Sequence, residues 1–178
     1  MNRQQAIRVL SEWDRRGRYV FTLHDLAKLF PVDKPKTLKE GVSRLVHNGL
    51  LKRACRGLYL YPYAHSIDSH AVEQIAKTLR RGEYNYVSLE SALSEYGAIS
   101  QIPIDRLTVM TTGRKGTYQT PYGLIEFTHT KRQVRDIVQH IRDIKRPLRI
   151  ATPLAAWRDL KRVGRNTHLV NQEVLQDD

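Results

Sequence analysis

Disulfide chemistry is excluded at the outset, because the chain has one cysteine, Cys55. A single thiol forms no intramolecular bridge and fits a reducing compartment. Long apolar runs are missing as well. None approaches the roughly 20 residues needed to span a bilayer, and the polar start Met1 to Gln5 leads into an interrupted apolar pattern, not a signal-peptide core. The expectation is a cytoplasmic protein with no membrane partner. Acidic residues are also scarce, 18 against 30 Lys+Arg, for a net charge of +12. That field favours a polyanionic partner, since neutralising phosphates releases counterions.

Catalytic signatures are lacking too. The seven histidines are scattered, and His65 and His70 stand five apart, off the i, i+4 spacing of helical zinc ligands. Gly113-Arg114-Lys115-Gly116 has glycines and cations but not the spacing of a phosphate loop, and reads as a turn. Cys55 has no histidine beside it to make a nucleophile. Glu83, Glu90 and Glu95 read as solvated helix carboxylates. We therefore expect no enzyme, no metal and no cofactor.

What the chain does have is charge in blocks. Residues 1–66 carry 13 Lys+Arg against 5 Asp+Glu, and residues 131–165 carry 11 against 3. Between them residues 67–130 carry 6 against 7, and residues 166–178 carry 0 against 3. The first block has its own pattern. Ala6, Leu10 and Trp13 mark a helix from about Gln4 to Arg16, and Arg18 to Phe21 a short strand. Thr22 with Asp25 caps a second helix running to Phe30, after which Pro31 and Pro35 bracket a turn.

A third helix follows. Leu38, Val42, Leu45 and Val46 share one face, while Lys36, Lys39, Glu40, Ser43 and His47 fall on another with Arg44 at its edge. Asn48-Gly49 stops it, and Leu50 to Arg53 and Leu58 to Tyr61 read as strands joined across Cys55-Arg56-Gly57. This order is that of a winged helix-turn-helix, whose third helix enters the major groove. The expected DNA contacts are Lys36, Lys39, Arg44, Arg53 and Arg56, with Thr37, Ser43 and His47 as lesser polar readers. A winged helix used to dock protein, its charges merely solvated, is the alternative.

Beyond a linker, Tyr63 to Asp68, the pattern becomes mixed. Helices are expected over Ala71 to Leu79, after Ser88, around Val134 to Ile141 and from Pro153. Tyr84 to Val87 is a short apolar segment, strands are expected over Ile104 to Thr111, Thr117 to Thr120, Leu124 to Thr130 and Leu148 to Ile150, and the tail from Thr167 is acidic and frayed. The class is α+β: a winged helix-turn-helix over 1–66 and a small mixed α+β domain over 67–178.

Several segments in succession resemble the AbiEi-type antitoxins. They are Arg56 to Pro62, Tyr86 to Leu93, Leu107 to Gly116, Thr120 to Phe127, and Ala151-Thr152-Pro153. The resemblance implies a bacterial antitoxin whose winged helix represses its own operon at an inverted-repeat operator in double-stranded DNA. It implies also that the second domain counteracts a co-encoded nucleotidyltransferase-like toxin, without a stable complex. Leu154 and Ala155 stand where family members usually carry a Glu-Lys pair. A ligand-responsive regulator without antitoxin activity stays open as a further reading. So does the role of the second basic block. Arg114, Lys115, Arg142, Lys145, Arg146, Arg158, Lys161 and Arg162 are candidates for a toxin-facing or second DNA-facing surface, with plain solvent exposure as the alternative.

Overall fold

The computed structural model describes residues 1–100 and 105–175, and divides into two compact units, Met1–Ala71 and Val72–Asp178. In the first unit, α1 (Arg3–Asp14) is capped by Asn2, whose side chain accepts the Gln5 N–H at 2.8 Å, and it buries Ala6 and Leu10. β1 (Val20–Thr22) leads directly into α2 (Leu23–Leu29). The reciprocal cap read from the sequence is present: Thr22 Oγ1 accepts the Asp25 N–H at 3.0 Å, and Asp25 Oδ2 accepts the Thr22 N–H at 2.8 Å.

Pro35 does not belong to a separating turn. It is the first residue of α3 (Pro35–His47), where a missing N–H leaves no bond unmade. Leu50 and Leu51 likewise do not open a strand: both backbone N–H groups donate to the Leu45 carbonyl, at 2.9 and 3.1 Å, so they close the end of α3 with their side chains buried. The wing is β2 (Lys52–Cys55) and β3 (Leu58–Leu60), joined by Arg56-Gly57. The three strands form an antiparallel sheet in the order β1-β3-β2. Leu10, Phe21, Leu26, Val42, Leu58 and Leu60 are buried in this unit, the arrangement of a winged helix-turn-helix.

The chain leaving the wing is tied back to α1. Asp14 is buried, and its carboxylate accepts the His65 N–H at 2.9 Å, the Ser66 N–H at 3.0 Å and the Ser66 hydroxyl at 2.5 Å. Burial alone would raise this carboxyl, but those bonds hold it below the usual carboxylate range.

The second unit is built on a six-stranded mixed sheet in the order β6-β7-β5-β4-β9-β8. Its strands are β4 (Asn85–Val87), β5 (Arg106–Thr111), β6 (Gly116–Thr120), β7 (Gly123–His129), β8 (Ile141–Arg142) and β9 (Arg149–Ala151). Ile104, expected at the start of β5, lies outside the described residues. Pairs β5–β7 and β4–β9 are parallel, the others antiparallel. Leu107 to Thr111 of β5 are all buried, as a central strand covered on both faces must be. The helices are α4 (Ala71–Leu79), α5 (Leu89–Glu95), α6 (Val134–Gln139) and α7 (Pro153–Val163). In α6 only Ile137 is buried; Val134 and Val138 are exposed, and Ile141 opens β8, because the helix ends at His140, whose carbonyl accepts the Thr152 N–H. The tail expected to fray forms two 3-10 turns, Thr167–Leu169 and Glu173–Leu175, the second burying Leu175; residues 176–178 lie outside the described residues.

Two buried carboxylates organise this unit. Asp159 on α7, 1% exposed, accepts the Ser88 hydroxyl at 2.9 Å, the Tyr86 hydroxyl at 3.2 Å and Arg132 Nη2 at 3.0 Å. Burial, with Asp159 alongside, pushes the Tyr86 phenol upward. Ser88 holds the expected cap position of α5, but its hydroxyl is drawn to Asp159; Thr108 on β5 accepts the Ser91 N–H at 3.0 Å instead. Leu89, next to Ser88, takes φ +58°, a left-handed conformation that costs a branched residue energy and is held by this packing.

Glu90 is not a solvated surface carboxylate. It is buried, chelated by Arg165 Nε at 2.7 Å and Nη2 at 3.1 Å, and bonded by Asn166 Nδ2 at 2.9 Å. Burial opposes its ionisation, and the Arg165 and Asn166 bonds prevail, holding its carboxyl low.

An Asp159→Ala chain is expected to lose about 3–5 kcal/mol, because Arg132 is left without its buried partner. Trp157 fluorescence in a Trp13→Phe background, followed through urea unfolding, measures it. A second expectation concerns pH. Glu90 has a folded pKa below its unfolded value, so its stabilisation is present above that unfolded value, about 4.3, and is lost as pH falls toward the folded pKa. Glu90→Gln is therefore expected to be less stable than wild type at neutral pH, by about 1–3 kcal/mol. The gap should narrow below about pH 4; a gap constant with pH would show that the Glu90 charge is not the source.

Candidate nucleic-acid interface

The site in the first unit follows from the two-faced pattern of α3. Leu38, Gly41, Val42 and Leu45 are buried, which turns the opposite side outward. Lys36, Lys39, Ser43, Arg44 and His47 lie on that outward side, and these five and Thr37 at its edge are all exposed. Glu40 shares the face as its one carboxylate. Among the described residues, no hydrogen-bond or ion-pair partner engages the side chain of Lys36, Lys39 or Arg44. A cation without a partner gains little by standing in water, yet is available at once to an incoming phosphate.

The start of α3 adds to this. Lys34 is the N-cap and makes no side-chain cap bond, and the first turn has no acidic residue. Helix starts usually gather carboxylates against the positive end of the dipole; this one gathers lysines, an arrangement that a bound anion relieves. The sequence reading missed Lys34. Its signal was Pro35, since a proline at the first helical position marks the residue before it as the cap.

The wing places the other two arginines. Its turn is two residues long, and Gly57 adopts φ +76°, the left-handed conformation that lets the strands reverse. The register shifts between Arg53 and Cys55, a bulge that twists the hairpin. Arg56 stands exposed at the tip, while Arg53, also exposed, bends over the turn and donates Nε to the Cys55 carbonyl at 3.3 Å. The Gly57 carbonyl accepts the Leu23 N–H at 3.1 Å, which ties the wing tip to the start of α2. The eight residues selected from the sequence therefore occupy the outer side of α3 and the wing of one unit.

In the second unit the basic block divides. Arg146 is not surface charge: it chelates Glu95 at 2.7 and 2.8 Å, with Glu73 at 3.1 Å. Arg158 pairs with Asp136 at 3.4 Å, and Arg132 with both Asp136 and Asp159. Arg165 bridges Glu90 and Glu126, and the Glu90 bond raises its guanidinium further. These arginines fasten helices to one another and, through Arg165 and Glu126 of β7, to the sheet. Arg114, Lys115, Arg142, Lys145, Lys161 and Arg162 are exposed, with Lys161 over the Trp157 ring at 5.3 Å and Arg162 donating to the His129 carbonyl at 3.2 Å. The sequence does not separate the two sets, because, apart from Asp136 four residues after Arg132, the carboxylates concerned lie far away along the chain. Among the described residues no cluster of His, Cys, Asp and Glu is placed to hold a metal, and no helix is long and apolar enough to cross a membrane.

Comparison with known proteins bears on the first unit. No curated protein matches the chain. The crystal structure of the RV2827C protein from Mycobacterium tuberculosis is similar with a TM-score of 0.49 at 16% identity, over 76% of this chain and 48% of that one. This chain thus spans about half the length of that protein. Residues 8–62 match the family described as "Transcriptional regulator, AbiEi antitoxin". The stretch from within α1 through β3 is therefore similar to the AbiEi antitoxin family of transcriptional regulators, the family that the sequence motifs resemble.

Proposed function

We propose that this chain is an antitoxin that represses its own operon. Its winged helix binds an inverted-repeat operator in double-stranded DNA, and its second unit counteracts a co-encoded nucleotidyltransferase-like toxin. The observation that carries the DNA reading is the set of exposed, unpartnered cations on α3, Lys36, Lys39 and Arg44, with Arg56 at the wing tip, inside the segment that matches a transcriptional-regulator family. α3 enters the major groove and reads base edges with Arg44 and Lys39, helped by Ser43, Thr37 and His47. Lys36 and Lys34 meet phosphate at the helix start, and Arg53 and Arg56 follow the backbone beside the groove. The antitoxin half rests on the motifs Tyr86 to Leu93, Leu107 to Gly116, Thr120 to Phe127 and Ala151 to Pro153.

A gel shift with DNA from upstream of the gene tests the first half. A saturable shift is expected at low salt, and its absence would leave the winged helix as a protein-docking module. Arg44→Ala and Lys39→Ala are each expected to weaken operator binding by about 1–3 kcal/mol, with relaxed sequence preference where a base contact is lost. Wild-type affinity in both removes α3 from the interface. Arg56→Ala should weaken specific and unrelated duplexes alike and make the slope of log K against log[salt] shallower by about 0.9. For the second half, co-expression with an adjacent nucleotidyltransferase gene should restore growth that the toxin alone arrests.

A further inference from the structure

The parallel strands β5 and β7 end side by side, with Thr111 opposite His129. Their carboxyl ends open into a cleft of about 890 Å³ lined by Glu83, Thr112, Gly113, Arg114, Lys115 and His129, among others. Carboxyl ends of parallel strands are where loops converge on ligands in α/β sheets, and the volume is that of a small-molecule site.

The loop forming one wall is held at the backbone while its cationic side chains stay outside. His129 Nδ1 lies 2.8 Å from the Gly113 carbonyl, Arg80 Nε donates to the Arg114 carbonyl at 2.9 Å, and the Gly113 N–H donates to Thr111 Oγ1 at 3.0 Å. Arg80 is itself clamped, bonded to the Tyr118 hydroxyl at 2.9 Å and lying 4.4 Å from the Phe127 ring centre. A Cβ at Gly113 would stand 2.9 Å from the Glu83 side chain, so a larger residue there would push Glu83 aside. Arg114 and Lys115 are exposed, with no partner for either side chain among the described residues. Arg162 reaches the rim through its bond to the His129 carbonyl. One carboxylate faces these cations, Glu83, which accepts the Thr112 hydroxyl at 2.6 Å.

Elsewhere in this unit Arg106, Arg132, Arg146, Arg158 and Arg165 all meet carboxylates. The braced loop instead presents two unpaired cations to a cleft. We propose that this cleft binds the phosphate groups of a nucleotide, free or within a single strand of nucleic acid. Arg114 supplies a planar fork for two phosphate oxygens, Lys115 a point charge, and Thr128 a hydroxyl donor. The inference goes beyond the operator reading and needs neither α3 nor the wing.

The test uses the full chain, with ATP titrated by calorimetry and a short single-stranded RNA by fluorescence anisotropy. Saturable binding of at least one probe is expected, weakened about tenfold or more in the Arg114→Ala/Lys115→Ala double variant. A control removing two exposed cations that line neither the cleft nor the depression beside it, Arg135→Ala/Lys145→Ala, should bind as wild type does. Glu83→Gln, which removes the opposing charge, is expected to tighten binding about two- to fivefold, a gain that misfolding cannot imitate. ATP binding alone assigns a free nucleotide; RNA binding alone, with a salt slope reduced in the Arg114/Lys115 variant, assigns a strand. No saturable binding of either probe, or equal affinity in the Arg114/Lys115 and control variants, overturns the proposal. Loss of operator binding in Arg44→Ala leaves this result untouched, so the two readings fail separately.

Discussion

A buried carboxylate must find donors, and this requirement shapes both units. Five are buried among the described residues: Asp14, Asp25, Glu73, Glu90 and Asp159. Leaving one unsatisfied costs a large share of the 5–15 kcal/mol that holds a typical domain together. Asp25 caps α2 and pairs with Arg18 at 2.7 Å. Asp14 collects the backbone of His65 and Ser66 and so fixes the path of the chain after the wing. Glu73 accepts the Leu148 N–H and faces Arg146; Glu90 takes Arg165; Asp159 takes Arg132, Ser88 and Tyr86.

The same pairing sorts the cations. In a chain with 30 Lys+Arg and 18 Asp+Glu, acids cannot neutralise every base. Those drawn to buried acids become structural fasteners and are lost to partners. Others stand in water, among them those on α3, on the wing and on the Gly113 to Gly116 loop, where the field of the protein is open to solvent. The internal pairing decides which cations are left exposed.

Much of the first unit was legible because its signals are local. The Thr22–Asp25 cap spans three residues, and the two faces of α3 follow from a 3.6-residue period. Where the reading slipped, a nearby rule had been passed over or a tertiary bond intervened. Pro35 reads as a breaker or as a first helical residue, and only the path of the chain chooses. Leu50 and Leu51 look like a strand until the Leu45 carbonyl claims their N–H groups. In the second unit Ser88 sits where a cap belongs, but its hydroxyl answers to Asp159, 71 positions away. Glu90 looked like any helix-surface acid because Arg165 lies 75 positions on.

The sequence by itself determined the winged-helix order, the cationic outer face of α3, the strands β5, β6, β7 and β9 of the mixed sheet and the excess of positive charge. These rest on periodicity, capping and composition, which act over a few residues or over the chain as a whole. Only the tertiary structure decided which arginines are buried fasteners and which remain exposed, that Thr108 rather than Ser88 caps the Ser91 N–H, and that the ends of β5 and β7 meet to form a cleft. Those outcomes depend on groups far apart in the chain, and burial alone brings them within hydrogen-bonding reach.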